Sequence, residues 1–89
     1  MKIKLELFGA SRDFSNKDHL ELNVKDQSSI DDLKNEIIKY IDKNFQGNEN
    51  FIKVVKSSSF CSENNEIISD NYKITKDQKI GIIPPIGGG

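Results

Sequence analysis

The chain reads as one α+β domain in which a sheet carries one main helix on one face. Residues 1–8 and 19–24 alternate apolar and polar side chains with the period of two that suits a half-buried strand. Between Ile30 and Phe45 the apolar residues instead recur at steps of three and four, the spacing of an amphipathic helix. A short apolar run, Ile80 to Ile83, then stands directly before Pro84-Pro85, which donate no N–H and cannot continue a sheet ladder. With 89 residues the chain makes a single domain that buries roughly 60–65% of its unfolded surface, too little to enclose a large active site.

In the first strand Ile3, Leu5 and Leu7 share one face, and Lys2, Lys4, Glu6 and Phe8 the other. Phe8 is the exception on the polar side and requires either a covering loop or a partner. Gly9 to Asp18 is polar and turn-rich, and Leu20, Leu22 and Val24 point inward from the strand that follows, so the two strands make a hairpin with a long loop. On composition alone Arg12 is a solvated arginine of that loop. Asp26-Gln27-Ser28-Ser29 breaks the second strand. Either Ser28 with Asp31 or Ser29 with Asp32 can form a variant capping box, and a helix starts here. Ile30, Leu33, Ile37 and Ile41, joined by Tyr40 and Phe45, make its buried stripe; Asp31, Lys34, Asn35, Lys39, Asp42 and Lys43 face water, and the helix ends near Gly47.

From Gln46 to Ser59 periodicity decides little: residues 47–50 read as loop, and Phe51 to Val55 fits a short strand or a helical turn equally well. Phe60-Cys61-Ser62 reads as a short strand, Glu63-Asn64-Asn65 as a tight turn and Glu66 to Ser69 as the returning strand. Asp70 to Gln78 is a polar connection with Ile74 as its lone apolar anchor. In the last strand Ile80 and Ile82 point inward, which sends Ile83 to the same outer face as Phe8.

Composition removes several classes of function. Lys+Arg 13 against Asp+Glu 14 gives a formal net charge of −1, so no positive field recommends a nucleic acid or an anionic membrane as partner. No apolar run approaches the ~18–20 residues of a membrane-spanning helix, and the N-terminus lacks a signal-peptide core, which predicts a cytoplasmic protein. Cys61 and His19 are single representatives of their types, which excludes an internal disulfide and a cysteine-cluster metal site; Cys61, next to Phe60, reads as a small core residue. No phosphate-binding glycine loop or nucleophile motif is present, so the chain is not expected to be an enzyme by itself or to bind a cofactor.

The chemistry points to the end of the chain. A packed domain over residues 1–83 is followed by an extended tail over residues 84–89, which reaches on the order of 20 Å. Gly88 and Gly89 carry no Cβ and can thread a channel too narrow for other residues, and a terminal carboxylate on Gly89 is ionised at neutral pH and unhindered. This ending, Ile82-Ile83-Pro84-Pro85-Ile86-Gly87-Gly88-Gly89, resembles the PP-x-x-GG terminus of the small subunit of molybdopterin synthase, a ubiquitin-like sulfur carrier. Gly9-Ala10-Ser11-Arg12-Asp13-Phe14 is similar to the A-x-x-R-[ED] segment of that family, with Gly9 in place of the usual alanine. Ile74 to Ile80 is similar to its L-x-D-G-D-E-V segment, with Asp77 where glycine is usual; Asp can adopt the left-handed backbone expected there at a modest cost. Gly87 stands where the family often has threonine, serine or alanine.

The resemblance implies the β-grasp or ubiquitin-like fold, with the first and last strands parallel at the centre of the sheet. It implies that an E1-like adenylating enzyme uses ATP to activate Gly89, which then becomes a thiocarboxylate. The tail formed by Pro84, Pro85, Ile86, Gly87 and Gly88 would thread into the large catalytic subunit of molybdopterin synthase and donate sulfur to a cyclic pyranopterin precursor. Docking would use Phe8 and Ile83, with Arg12 and, by gapless alignment of the tail, Ile67. A sulfur carrier for thiamine thiazole or tRNA thiolation, or a ubiquitin-like protein modifier, shares the same dependence on Gly89 and differs only in the acceptor.

Overall fold

The computed structural model describes residues 1–85. Among them five strands form one mixed sheet: β1 (Lys2–Leu7), β2 (His19–Asn23), β3 (Ser59–Cys61), β4 (Ile67–Ile68) and β5 (Gln78–Ile83), in the order β2-β1-β5-β3-β4. The first and last strands pair in parallel, from Ile3 against Gln78 to Leu7 against Ile82, as the ubiquitin-like reading requires. The other pairs are antiparallel. Alternation did set the faces: Ile3, Leu5, Leu7, Ile80 and Ile82 are buried on the inner side.

Helix α1 (Ile30–Phe45) covers that side with Ile30, Leu33, Ile37 and Ile41, all fully buried. Of the two possible caps the structure selects Ser29 with Asp32: the Asp32 N–H donates to Ser29 Oγ at 3.2 Å, and the Ser29 N–H donates to the Asp32 carboxylate at 2.9 Å. Accepting that backbone N–H holds the Asp32 carboxyl below the usual carboxylate range. A folded-state pKa below the unfolded value of about 3.9 makes a contribution that is present above that pH and lost as pH falls through the folded value. Ser29→Ala is therefore expected to cost about 1 kcal/mol, and Asp32→Asn to flatten the acid limb of the stability curve, both checked by urea melts at neutral and acidic pH.

The structure corrects the sequence reading at five places. Glu49 and Asn50, expected in a loop, open a second helix, α2 (Glu49–Ser57), because the Asn48 carboxamide accepts from the N–H groups of Asn50 and Phe51. The long hairpin loop contains a 3-10 segment, Gly9–Phe14, which drives Phe14 fully into the core. Lys34 is half-buried: its ammonium pairs with Asp70 at 3.2 Å and lies 5.8 Å from the centre of the Phe60 ring. Asp77 keeps an ordinary backbone, outside the left-handed region, and its carboxylate accepts from the Lys2 N–H at 2.8 Å, tying the entry of β5 to β1. Ile74 is fully buried as expected, but it shares its role as anchor with Tyr72, which packs partly buried against the core.

Candidate functional site

Side chains on the outer face of the sheet form cross-strand rows. His19, Glu6, Gly81, Cys61 and Ile67 stand opposite one another from β2 to β4, and Ile83 of β5 pairs with Ser59. Phe8, immediately after β1, is 39% exposed, Ile83 36% and Ile67 67%, the three large apolar residues most open to solvent among the described residues. Arg12 is exposed, and it lines one small cleft of about 130 Å³ with Lys4, Glu6, Leu7, Phe8 and Asp18. Phe8, Arg12, Ile67 and Ile83 thus all reach solvent.

Phe8 is held from below. Its backbone N–H donates to Ser11 Oγ at 3.0 Å, and the same hydroxyl donates to the Phe8 carbonyl at 2.7 Å. Ser11 is fully buried, so one side chain satisfies both polar groups of the residue that leaves β1. The chain then turns at Gly9, whose φ of +56° strains any other residue; the alanine usual at this place in the resembled family would meet that cost. Nothing in a strand-and-loop pattern marks Ser11, because its two bonds form only once the 3-10 segment has folded.

The root of the tail is also positioned by side chains that periodicity did not single out. Pro84 is buried, with its Cδ 3.8 Å from the point where Gly9 would carry a Cβ, and Pro85 is exposed. Ala10, Asn50, Lys53, Val54 and Ser57 surround the two prolines in a cleft of about 380 Å³. Helix α2 therefore forms one wall of the exit; the Asn48 cap three residues before Phe51 was the signal that could have placed it. Ile86, Gly87, Gly88 and Gly89, the remaining candidates, lie outside the described residues.

Two polar pairs stand on the face and its rim. Lys79 Nζ lies 2.9 Å from Glu6 Oε1, a hydrogen bond that raises the lysine pKa, and Lys79 N–H donates to the Glu63 carboxylate at 2.7 Å. Asp18 is lowered by its hydrogen bond to His19 at 3.0 Å. A larger cleft of about 660 Å³ lies between residues 13–21 and the C-terminal half of α1, away from the tail root. Tyr40 in its wall donates to the Phe14 carbonyl at 2.6 Å, and partial burial raises its pKa. Among the described residues no three His, Cys, Asp or Glu side chains converge as a metal would need, and no helix is long and apolar enough to cross a membrane.

No protein-family model matches the sequence, and no curated protein matches it. Solved structures do. SAMP1 from Haloferax volcanii superposes with a TM-score of 0.68 at 12% identity, covering 100% of both chains. The "Putative molybdopterin converting factor, subunit 1" from Pyrococcus furiosus gives a TM-score of 0.68 at 18% identity, covering 96% of this chain and 98% of that one. At such identities the likeness is one of architecture, and with the parallel pairing of β1 and β5 under α1 it gives the chain the β-grasp, ubiquitin-like fold.

Proposed function

We propose that this chain is a sulfur carrier acting as the small subunit of a molybdopterin synthase. The observation that carries the reading is one of placement: the strand that continues into Pro84-Pro85 and the Gly88-Gly89 ending lies at the sheet centre, beside Phe8 and Ile83. A partner that docks on the outer face would stand where the tail leaves. The fold shared with a molybdopterin converting factor subunit supports the same reading.

The chemistry balances as an acyl transfer. The Gly89 carboxylate attacks the α-phosphorus of ATP on an E1-like enzyme, and pyrophosphate leaves. Hydrosulfide from a sulfur donor then attacks the acyl carbon of the adenylate, AMP departs with the electron pair of the broken C–O bond, and loss of the sulfur's proton leaves a thiocarboxylate. Adenylation is needed because a carboxylate oxygen is a poor leaving group until it belongs to a phosphate. In the large subunit the thiocarboxylate sulfur would attack a carbon of the pyranopterin precursor and displace an oxygen from it, and water would then cleave the acyl carbon–sulfur bond, returning the Gly89 carboxylate and leaving the sulfur on the precursor. The carrier supplies reach and a nucleophile; the catalytic residues belong to its partners.

The test is mass spectrometry of the protein incubated with its activating enzyme, ATP and a sulfur donor. Replacement of one terminal oxygen by sulfur supports the proposal, whereas appearance of the chain joined to lysines of other proteins establishes the modifier reading instead. Thiolation by a carrier that leaves the pyranopterin precursor unconverted in the presence of the large subunit points to the thiazole or tRNA branch. For docking, Phe8→Ala and Ile83→Ala are each expected to weaken binding of the large subunit by ~2 kcal/mol or more, read by titration calorimetry. Unchanged affinity in both variants removes the outer face from the interface.

A further inference from the structure

Gly81 occupies the middle of β5 in the outward row, between Glu6 and Cys61, and is buried although it presents no side chain. Its backbone lies outside the left-handed region, so conformation does not require glycine there. A glycine within a strand weakens it, and such positions often mark the close approach of another group. That group is identifiable. A Cβ on residue 81 would stand 2.7 Å from Cys61 Sγ and 3.0 Å from Phe8 Cε2, with Phe8 Cδ2 at 3.7 Å. Carbon atoms normally rest about 3.5–4.0 Å apart, so the edge of the Phe8 ring occupies space that any other residue would claim.

The two neighbours differ in how easily they give way. Cys61 is only 7% exposed and is held on a strand paired on both sides, whereas the Phe8 side chain reaches solvent and only its backbone is fixed by Ser11. A side chain at position 81 would therefore have to turn the Cys61 thiol aside, the tighter of the two contacts, and push the solvent-reaching Phe8 ring off the strand. The inner face, with Ile80 and Ile82, would stay as it is.

We propose that Gly81 is a positioning residue: it keeps the Phe8 ring laid against the middle of β5 in the free protein, so that the docking aromatic is set before a partner arrives. This rests on the reading of Phe8 as a docking anchor. The advantage is preorganisation, because a ring already fixed has less rotamer freedom to lose on binding.

The experiment has two arms on the full chain, with Gly81→Ala, Phe8→Ala and the double variant. In the free protein, NMR should show contacts between the Phe8 ring and the α-protons of residue 81 in the wild type and their loss in Gly81→Ala, with the pairing of Leu5 with Ile80 and of Leu7 with Ile82 retained. In titrations of the large synthase subunit, Gly81→Ala should weaken binding about tenfold when Phe8 is present and have little effect in the Phe8→Ala background. Persistence of the ring contacts in Gly81→Ala overturns the proposal, as does an equal loss of affinity in both backgrounds. If the wild type does not bind that subunit, the docking reading fails, and Gly81's role in binding with it. The NMR arm still decides separately whether Gly81 positions the ring.

Discussion

Deletion of Gly89 is expected to abolish sulfur loading while thermal unfolding stays that of the wild type. The shortened chain still ends in glycine, so any loss cannot be assigned to a bulkier terminal residue. What changes is distance: the reactive carbonyl retreats by ~3.3–3.6 Å, where a misplacement of ~1 Å already costs such transfers on the order of a hundredfold. Adding one residue after Gly89 should be as damaging, because the new carboxylate overshoots and the old one becomes an amide. Mass spectrometry after incubation with the activating enzyme, ATP and a sulfur donor reads both variants. Stability should be indifferent, since among the described residues the buried set reaches no further along the chain than Pro84. Full sulfur loading of the shortened chain would contradict the proposed site.

Phe14→Ala is expected to have the largest effect on the fold itself, a loss of about 3–5 kcal/mol in a domain whose whole stability is of order 5–15 kcal/mol. Phe14 is fully buried, and its ring centre lies 5.1 Å from that of Phe51, which stands 5.0 Å from Phe45; Phe45 in turn lies 6.0 Å from Tyr40. This chain of rings joins the 3-10 segment to α2 and α1, so the cavity would open where three pieces of backbone meet. Urea denaturation checks the magnitude. A loss below ~1 kcal/mol would mean that the surrounding helices collapse onto the gap. A variant that still folds should also bind the large subunit more weakly, because Ser11 and Gly9, which fix Phe8 and face Pro84, belong to the same 3-10 segment.

The parts of this protein that could be read from sequence are those governed by local periodicity or local chemistry. The faces of β1 and β5 and the buried stripe of α1 each depend on residues within a few positions of one another and are found as expected, while of the two caps that local chemistry allowed the structure takes Ser29. The outward exposure of Phe8 and Ile83 follows from the same period of two. Helix α2 was hidden because Phe51-Ile52-Lys53-Val54-Val55 is rich in β-branched and aromatic residues that favour strands in isolation. Its packing decided otherwise: Val55 is buried, and Phe51 closes on Phe14 and Phe45. Ser11 and Gly81 escaped notice for a different reason. The role of each lies in the space left around another residue, Phe8, and for Gly81 that residue is more than seventy positions away in sequence, so no window along the chain contains the relationship.

The pairing of β1 with β5 also bears on how the protein is made. The sheet's middle joins residues 2–7 to residues 78–83, so a ribosome must have synthesised the chain through Ile83 before the two halves can close on each other. Until then β1 and β2 form only a hairpin with an apolar face, which is marginal alone and prone to aggregate. A product that stops before β5 therefore lacks the centre of its sheet and the sequence that follows it at once. Chains that stop before β5 would be open to proteolysis and, under the proposed function, would lack the Gly88-Gly89 segment on which sulfur is loaded, so synthesis itself would sort complete chains from fragments.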